Sequence, residues 1–469
     1  MEAMARLFPF RALRYDPTAV NMADVVTQPY DKIDSAMQER YYNLSPYNLV
    51  RVVLGKKQAD DNDERNVYTR AADTLKKWRA EHILREETAP ALYGYSQTYT
   101  VPGTGGATGA PAEIRERRGF IALGQLSDYA DKVVYRHEQT FPKHKSDRLA
   151  LFKATRAYCE QIYMLYSDPT FTAERVIFEA PPEVASSGSN VRHDTRTPDL
   201  EIVDEYHVVH RVWKVTDTNL IQRVLHAMKD KWLLIADGHH RYETSVAYMH
   251  ERAAEQHVDP KAAPKMTPDG LPQPAFPEQA MMMTFVNMDA PGITILPTHR
   301  VVSGIEGFSL RGFEEKAKQY FEVKELQGSL TPLQLQAKLN EAEGVAFVAA
   351  TREGNLLLTP KAEAIAPLIA GLSPRQQKLD VTQLHKVVIE KLLGMDEETV
   401  RKGEKIRYYR EADESVGRVK SGKADVAFLI KPVTLEQMKD ISLNLEVMPQ
   451  KSTDFYPKLL SGLAMYTLQ

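Results

Sequence analysis

Residues 231–254, KWLLIADGHHRYETSVAYMHERAA, constrain the fold more than any other stretch of the 469-residue chain. Trp232, Leu233, Leu234 and Ile235 form an unbroken apolar run of strand length. Gly238 permits a sharp exit, and Tyr242, Val246 and Met249 then recur on one face of a helix. The preceding segment repeats the pattern. HVVHRVWKV (207–215) alternates like a half-buried strand, and Leu220, Ile221, Val224, Leu225 and Met228 follow at helical spacing behind a cap at Asp217 or Thr218. Strand, helix, strand and helix in succession predict an α/β fold.

The charged residues Asp237, Gly238, His239, His240 and Arg241 therefore sit on a strand-to-helix turn. Backbone N–H groups and the positive end of the helix dipole make such a turn an anion site, and two histidines and an arginine suit a phosphate. Asp237 would repel a bare phosphate, so it is expected to hold a metal, orient a histidine or accept a substrate hydroxyl proton. His239 and His240 are adjacent and diverge on a helix, without the i, i+4 pair of a zinc protease. Structural zinc is not expected; Mg²⁺ brought with a nucleotide and bound by oxygen is. Nucleophilic catalysis finds no Gly-x-Ser-x-Gly elbow, and the single cysteine, Cys159, lies in apolar RAYCEQIYMLY.

A second constellation is VVYRHEQTFPKHKSDR (133–148). Arg136, His137 and Glu138 precede a Pro-containing loop; Lys143, His144, Lys145, Asp147 and Arg148 precede a helix that Ser146 could cap. Such a run is either a solvated basic loop or a site in which Lys143, His144, Lys145 and Arg148 contact phosphoryl oxygens and Glu138 serves as general base or metal ligand. His299 and Arg300 in LPTHR end a strand-like run, as a structural pair or as anion ligands. Lys451 and Ser452 in MPQKSTDFYPK read either as a Ser/Thr turn or as phosphate contacts, with no Gly-rich Walker loop around them. Arg11, Arg14 and Asp16 line a site or cap a turn before Pro17.

Sixty Lys and Arg against 63 Asp and Glu leave a net charge of -3, which gives no broad attraction for duplex nucleic acid or an anionic membrane. One cysteine excludes an internal disulfide and fits a reducing compartment. No apolar run approaches 18 residues and the first residues lack a signal pattern, so a cytoplasmic location is expected, while oligomeric state stays open. Polar, Gly/Pro-rich segments at 100–111, 180–199 and 257–278 read as excursions from the body, the first as a hairpin loop between ALYGYSQTY and RRGFIAL. Beyond residue 305 come a hairpin (VAFVAATREGNLLLTP), an amphipathic helix (LDVTQLHKVVIEKLLG) and a strand-to-helix step (ADVAFLIKPVTLEQMKDI) in which Thr434 and Gln437 have capping-box spacing. Two domains follow, 1–305 and 306–469.

DGHHRYE in its strand–turn–helix setting (205–250) resembles the phosphate-binding turn of the ParB/sulfiredoxin superfamily, which includes nucleotide-hydrolysing DNA-partition clamps, sulfiredoxins and kinases of free serine. Over nearly its full length the chain is similar to the bacterial and archaeal family called domain of unknown function 1015, through FPFRALRYDP, QPYDKI, SPYNLVRV, RHEQTFPKHKSDRLALFKAT, ADGHHRYET, ILPTHRVV, LDVTQLHKVVIEKLLG and MPQKSTDFYPKLLSGL. These resemblances imply a ParB/sulfiredoxin-like core with an added α/β C-terminal part. They imply phosphoryl chemistry on a small metabolite, serine or phosphoserine, with ATP, ADP or CTP as co-substrate. The turn and the lysines would neutralise phosphoryl charge, with Asp237 and His239 as catalytic groups and Glu138 as a third, a role assigned to it here and not carried over from the superfamily. The alternatives are a phosphoserine phosphatase and a CTP-switched DNA-associated protein; against the latter stand the slightly acidic charge and the lack of a helix-turn-helix pattern or basic stripe.

Overall fold

The long hairpin forms where composition placed it: Leu92–Thr100 pairs antiparallel with Ile114–Gln125, Tyr93 facing Ile121 and Thr100 facing Ile114. It is seen in a computed structural model that describes residues 5–105, 111–140, 142–179, 197–402 and 404–468; side chains at 142–144, 397, 401 and 402, most of the 180–199 excursion and the tip of the 100–111 loop lie outside the described part. The chain divides into two units. One comprises Met1–Arg136, Thr140–Ile293 and Pro457–Gln469, the other His137–Gln139 and Thr294–Tyr456. The division falls ahead of the expected boundary at 305, because His299–Val302 is hydrogen-bonded as a strand to Ile406–Tyr409 and Val426–Leu429.

Among the described residues of the first unit, nine strands build a mixed sheet. Its order is Val134–Tyr135, Leu233–Asp237, Ile162–Tyr166, Ala280–Asn287, Ile114–Gln125, Leu92–Thr100, Val209–Val215, Leu200–Val203, with Leu7–Phe8 added to Ile114–Gln125. Pairing is parallel between Val134–Tyr135 and Leu233–Asp237 and between Ile162–Tyr166 and Ala280–Asn287. The two strands read from 207–237 are therefore not neighbours: four strands lie between them. Asp217, not Thr218, caps the helix Thr218–Met228, accepting from Asn219 N and Leu220 N. That helix and His239–Glu255 bury Leu220, Ile221, Val224, Tyr242 and Met249 in one core with Ile235, Met164 and Phe285, as an apolar strand covered by helices requires. Ser146 does not cap its helix, which starts at Pro142; a first helical position suits proline, whose missing N–H is unsatisfied there anyway.

Residues 457–468 complete this unit by hydrogen bonds to its interior. Pro457 O accepts from Arg117 Nη2 at 2.5 Å, Lys458 O from Gln97 Nε2 at 2.8 Å and Leu460 O from Gln161 Nε2 at 2.9 Å. Thr27 and Ser461 exchange two backbone bonds, as do Leu13 and Met465, and Tyr466 pairs with Tyr158. The donors Arg117, Gln97 and Gln161 are all buried.

The second unit is built on an antiparallel sheet in the order Phe321–Glu325, Asn355–Pro360, Phe347–Ala350, Val426–Leu429, His299–Val302, Ile406–Tyr409. It contains the expected hairpin, and the Thr434 capping box opens Leu435–Leu443. The expected amphipathic helix is instead a short α segment, Asp380–Gln383, running into a π-helix, Leu384–Leu392. Among the described residues no helix is long and apolar enough to cross a membrane.

Removing residues 457–469 takes one acceptor from each of three buried side chains; Arg117 Nη2 keeps Gln97 Oε1 and Gln97 Nε2 keeps His210 Nδ1, while Gln161 Nε2 loses Leu460 O at a cost of about 1–3 kcal/mol and Asp237 loses Lys458. A chain ending at Tyr456 is expected to lose the cooperative melting of the first unit, read by near-ultraviolet circular dichroism during heating.

Candidate functional site

Gly238 closes the strand Leu233–Asp237 at φ +98°, a left-handed conformation, and the helix His239–Glu255 begins at the next residue. A Cβ here would stand 3.1–3.3 Å from the Arg241 guanidinium, so glycine is required by backbone and by space. Having no side-chain oxygen, Gly238 leaves the first-turn N–H groups of a 17-residue helix uncapped from its own position, at the positive end of the dipole. His239 is buried and His240 half-buried.

Beneath the turn, Asp237 is gripped from two sides. Lys458 Nζ donates to Oδ1 at 2.7 Å and Arg241 Nη2 to Oδ2 at 2.9 Å. Burial opposes its charge, but Lys458 and then Arg241 hold the carboxyl far below the usual carboxylate range. With both oxygens bonded to cations, Asp237 does not fit a Mg²⁺ ligand, and so low a proton affinity makes it a poor general base. Its geometry is that of an anchor. Arg241 is equally committed: its Nη1 donates to Gln161 O at 2.6 Å. Burial alone would lower its pKa, yet Glu160, then Asp237 and Asp31, hold it above the usual arginine value. Only 4% exposed, it ties the turn from below to Gln161, at the start of the strand Ile162–Tyr166, where a contact with phosphate was expected.

The segment 133–148 splits. Arg136 Nη1 (3.2 Å), Lys145, Thr140 Oγ1 (2.5 Å) and Tyr129 OH (3.2 Å) converge on Glu243, one helical turn beyond His239. Burial raises the Glu243 pKa, but Lys145 and Thr140 bring it below the ordinary value. Arg148 points inward, 2% exposed: it donates to Val53 O at 2.9 Å, to Asp147 at 2.6 and 2.9 Å and to Glu160 at 3.4 Å, 3.9 Å from the Tyr30 ring centroid. It is a latch, not a phosphate contact. The side chains of Lys143 and His144 lie outside the described part. Near the N-terminus Asp16 accepts from Thr18 N and Oγ1, the turn cap of the two readings.

The remaining predicted residues belong to the second unit. Glu138 Oε1 accepts from Lys451 N at 3.5 Å, and Lys451 holds a left-handed φ of +55°, rare for a residue with a Cβ. Arg300 is fully buried, donating to His385 Nε2 at 3.3 Å, to Thr298 O, and to Gln450 O and Lys451 O at 3.3 and 3.2 Å. Burial pulls its pKa down to about 10, against Tyr408 and then Glu138, which act to raise it. His299 Nδ1 accepts from Ile430 N, which serves the structural-pair reading. Ser452 Oγ donates to Pro449 O within its own turn, and His137 Nε2 bonds Thr453 Oγ1 at 2.8 Å.

Sequence reading missed Lys458, Glu160 and Glu243. A signal existed for the first: Lys458 stands among Phe455, Tyr456, Pro457, Leu459 and Leu460, and a lysine in an apolar run is rarely buried without a partner.

The sequence profile of the family described as "Protein of unknown function (DUF1015)" matches residues 7–382. No curated protein matches the chain. Among solved structures, it is similar to a conserved hypothetical protein from Pyrococcus furiosus (13% identity, TM-score 0.32, covering 73% of this chain and 92% of that one). It is also similar to a free serine kinase in complex with AMP (13%, 0.33, 75% and 91%) and to C-terminally truncated SbnI from Staphylococcus aureus (11%, 0.33, 73% and 85%).

Asp237→Asn is expected to destabilise the chain by about 3–5 kcal/mol in denaturant titration, because two buried cations lose their counter-charge. Adding Lys458→Met should cost less than the sum of the single changes. The stabilisation from Asp237 should be complete above the ordinary carboxylate pKa near 3.9 and lost as pH falls through its lower folded value. His299 and His385 also lose stability on acidification, but in a higher pH window. Burial first and then Arg300 push both down to about 3. The unfolded chain takes up protons near pH 6.5 while the folded one does not, so stability falls as pH drops from 6.5 toward 3, by about 1.4 kcal/mol per unit per histidine. His385→Gln should remove one proton from that slope, read from unfolding midpoints between pH 4 and 7.

Proposed function

The chain belongs to the DUF1015 family, whose description assigns no activity, and we propose one from the turn itself: a phosphotransferase that moves a phosphoryl group between a nucleotide and a small hydroxylated metabolite, serine or phosphoserine. The observation that carries this reading is the Gly238 turn, a glycine at φ +98° opening a 17-residue helix over a buried, ion-paired base. Phosphoryl transfer needs little covalent chemistry from the protein; it needs donors fixed where negative charge spreads over the transferred oxygens. Backbone N–H groups held by Asp237, Lys458 and Arg241 are such donors, already in place before the ligand arrives. The choice of serine rests on the resemblance of DGHHRYE to the superfamily that contains free-serine kinases.

In the forward direction the substrate hydroxyl oxygen forms a bond to the terminal phosphorus of the nucleotide. The bond from that phosphorus to the bridging oxygen breaks, and the hydroxyl proton passes to a carboxylate. Asp237 is the weaker candidate for that proton, since two cations stabilise its charge. Glu138 is the other candidate, assigned that role from sequence alone, with His239 kept as a catalytic group and His240 assigned to the phosphate side.

Pure protein with Mg²⁺, each of ATP, ADP and CTP in turn, and serine or phosphoserine is expected to show a phosphate-ester resonance appear or vanish in phosphorus NMR. No turnover in any mixture would refute the reading. Glu138→Gln is expected to lower turnover by about 10²- to 10⁴-fold with melting unchanged. Gly238→Ala should weaken nucleotide binding at least tenfold, about 1.4 kcal/mol, measured by calorimetry.

A further inference from the structure

A cleft of about 640 Å³ lies wholly within the second unit, bordered by the helices Ala362–Ile369 and Asp380–Gln383 and by the start of Leu435–Leu443. One wall is apolar, made by Ile365, Ala366, Ile369 and Pro374. Opposite charges meet in the same lining, Asp380 against Lys431 and the exposed Lys378. Asp380 is half-buried and accepts from Ala346 N at 3.4 Å. Burial pushes its carboxyl up to about 6, with Ala346 N–H and the Lys431 charge acting against that rise. Lys431 donates to Ala342 O at 2.5 Å and Gly344 O at 2.7 Å, and an ammonium has a third donor.

Gln383 supplies an independent observation. It is only 7% exposed, its Nε2 donates to Gln377 O at 2.7 Å, and its Oε1 is buried with no hydrogen-bond partner although the residue lines the cleft. A buried acceptor without a donor is costly and calls for an explanation such as a ligand. The π-helix Leu384–Leu392 begins at the next residue, and π segments are frequent at functional sites.

We propose that this cleft binds a free α-amino acid with a large apolar side chain. Its ammonium donates to the Asp380 carboxylate and Gln383 Oε1, its carboxylate meets the Lys431 ammonium, and its side chain lies along Ile365, Ala366 and Ile369. The pairing of charges selects this class. An apolar amine leaves Lys431 unanswered, and a fatty acid brings no donor to Asp380 and Gln383 Oε1. The site stands apart from the phosphotransferase reading and does not depend on it.

Titration calorimetry of the full chain at pH 7.5 with L-phenylalanine and L-leucine tests it, with 3-phenylpropanoate and 2-phenylethylamine as ligands lacking one charge. The expected result is saturable binding of at least one amino acid, at least tenfold weaker for both single-charge analogues and for Asp380→Asn. Ala366→Trp, a change on an exposed face of the helix, should abolish binding with melting unchanged. Absence of saturable binding by either amino acid, equal binding of a single-charge analogue, or wild-type affinity in Ala366→Trp would each overturn the proposal.

Discussion

Asp237 carries a charge that the interior would reject were it not answered twice, by Lys458 at 2.7 Å and Arg241 at 2.9 Å. Three separate pieces of chain are fixed by this one group. Arg241 binds the first turn of the helix back to its strand and to the Gln161 carbonyl, and Lys458 brings in the segment after Tyr456. A buried ion pair adds little net stability over a well-packed apolar substitute, but breaking one is expensive. The arrangement therefore specifies one position for the turn more than it strengthens the fold, and a defined position is what a row of backbone donors needs.

Around that anchor the charges are graded. Glu160 and Arg148 lie inside, where their partners are Tyr30, Val53 O and Asp147. Glu243, one turn along the helix, gathers Arg136 and Lys145 in a half-buried setting. The basic segment is thus neither wholly a solvated loop nor wholly a ligand clamp. Arg148 supports the turn from within, while Arg136 and Lys145 neutralise an acid on the same helix.

What could be read from sequence was local. The strand, Gly238 and the helix lie within twenty-five residues, and their period and composition state the structure directly; the hairpin at 92–125 and the Thr434 box are of the same kind. The role of Asp237 was not legible, because the cation that decides it lies 221 residues away along the chain. Arg148 misled for a related reason: a run of charge before apolar LALF does not say which member turns inward. The π-helix escaped too, since apolar spacing over LDVTQLHKVVIEKLLG does not separate a helix of 3.6 residues per turn from a wider one.

The return of residues 457–468 to the first unit has a consequence for synthesis. They leave the ribosome only after the whole of 294–456, so the first unit cannot finish folding when its own sheet has been made. Until then Arg117, Gln97 and Gln161 wait without their carbonyls and Asp237 without Lys458. The second unit, made in that interval from contacts within one continuous stretch and three further residues, is free to fold first although it is encoded later. A nascent chain arrested at any codon before 458 would thus display a half-built turn, an open invitation to proteolysis, and the anchored Gly238 turn would exist only in chains that had been translated past that point.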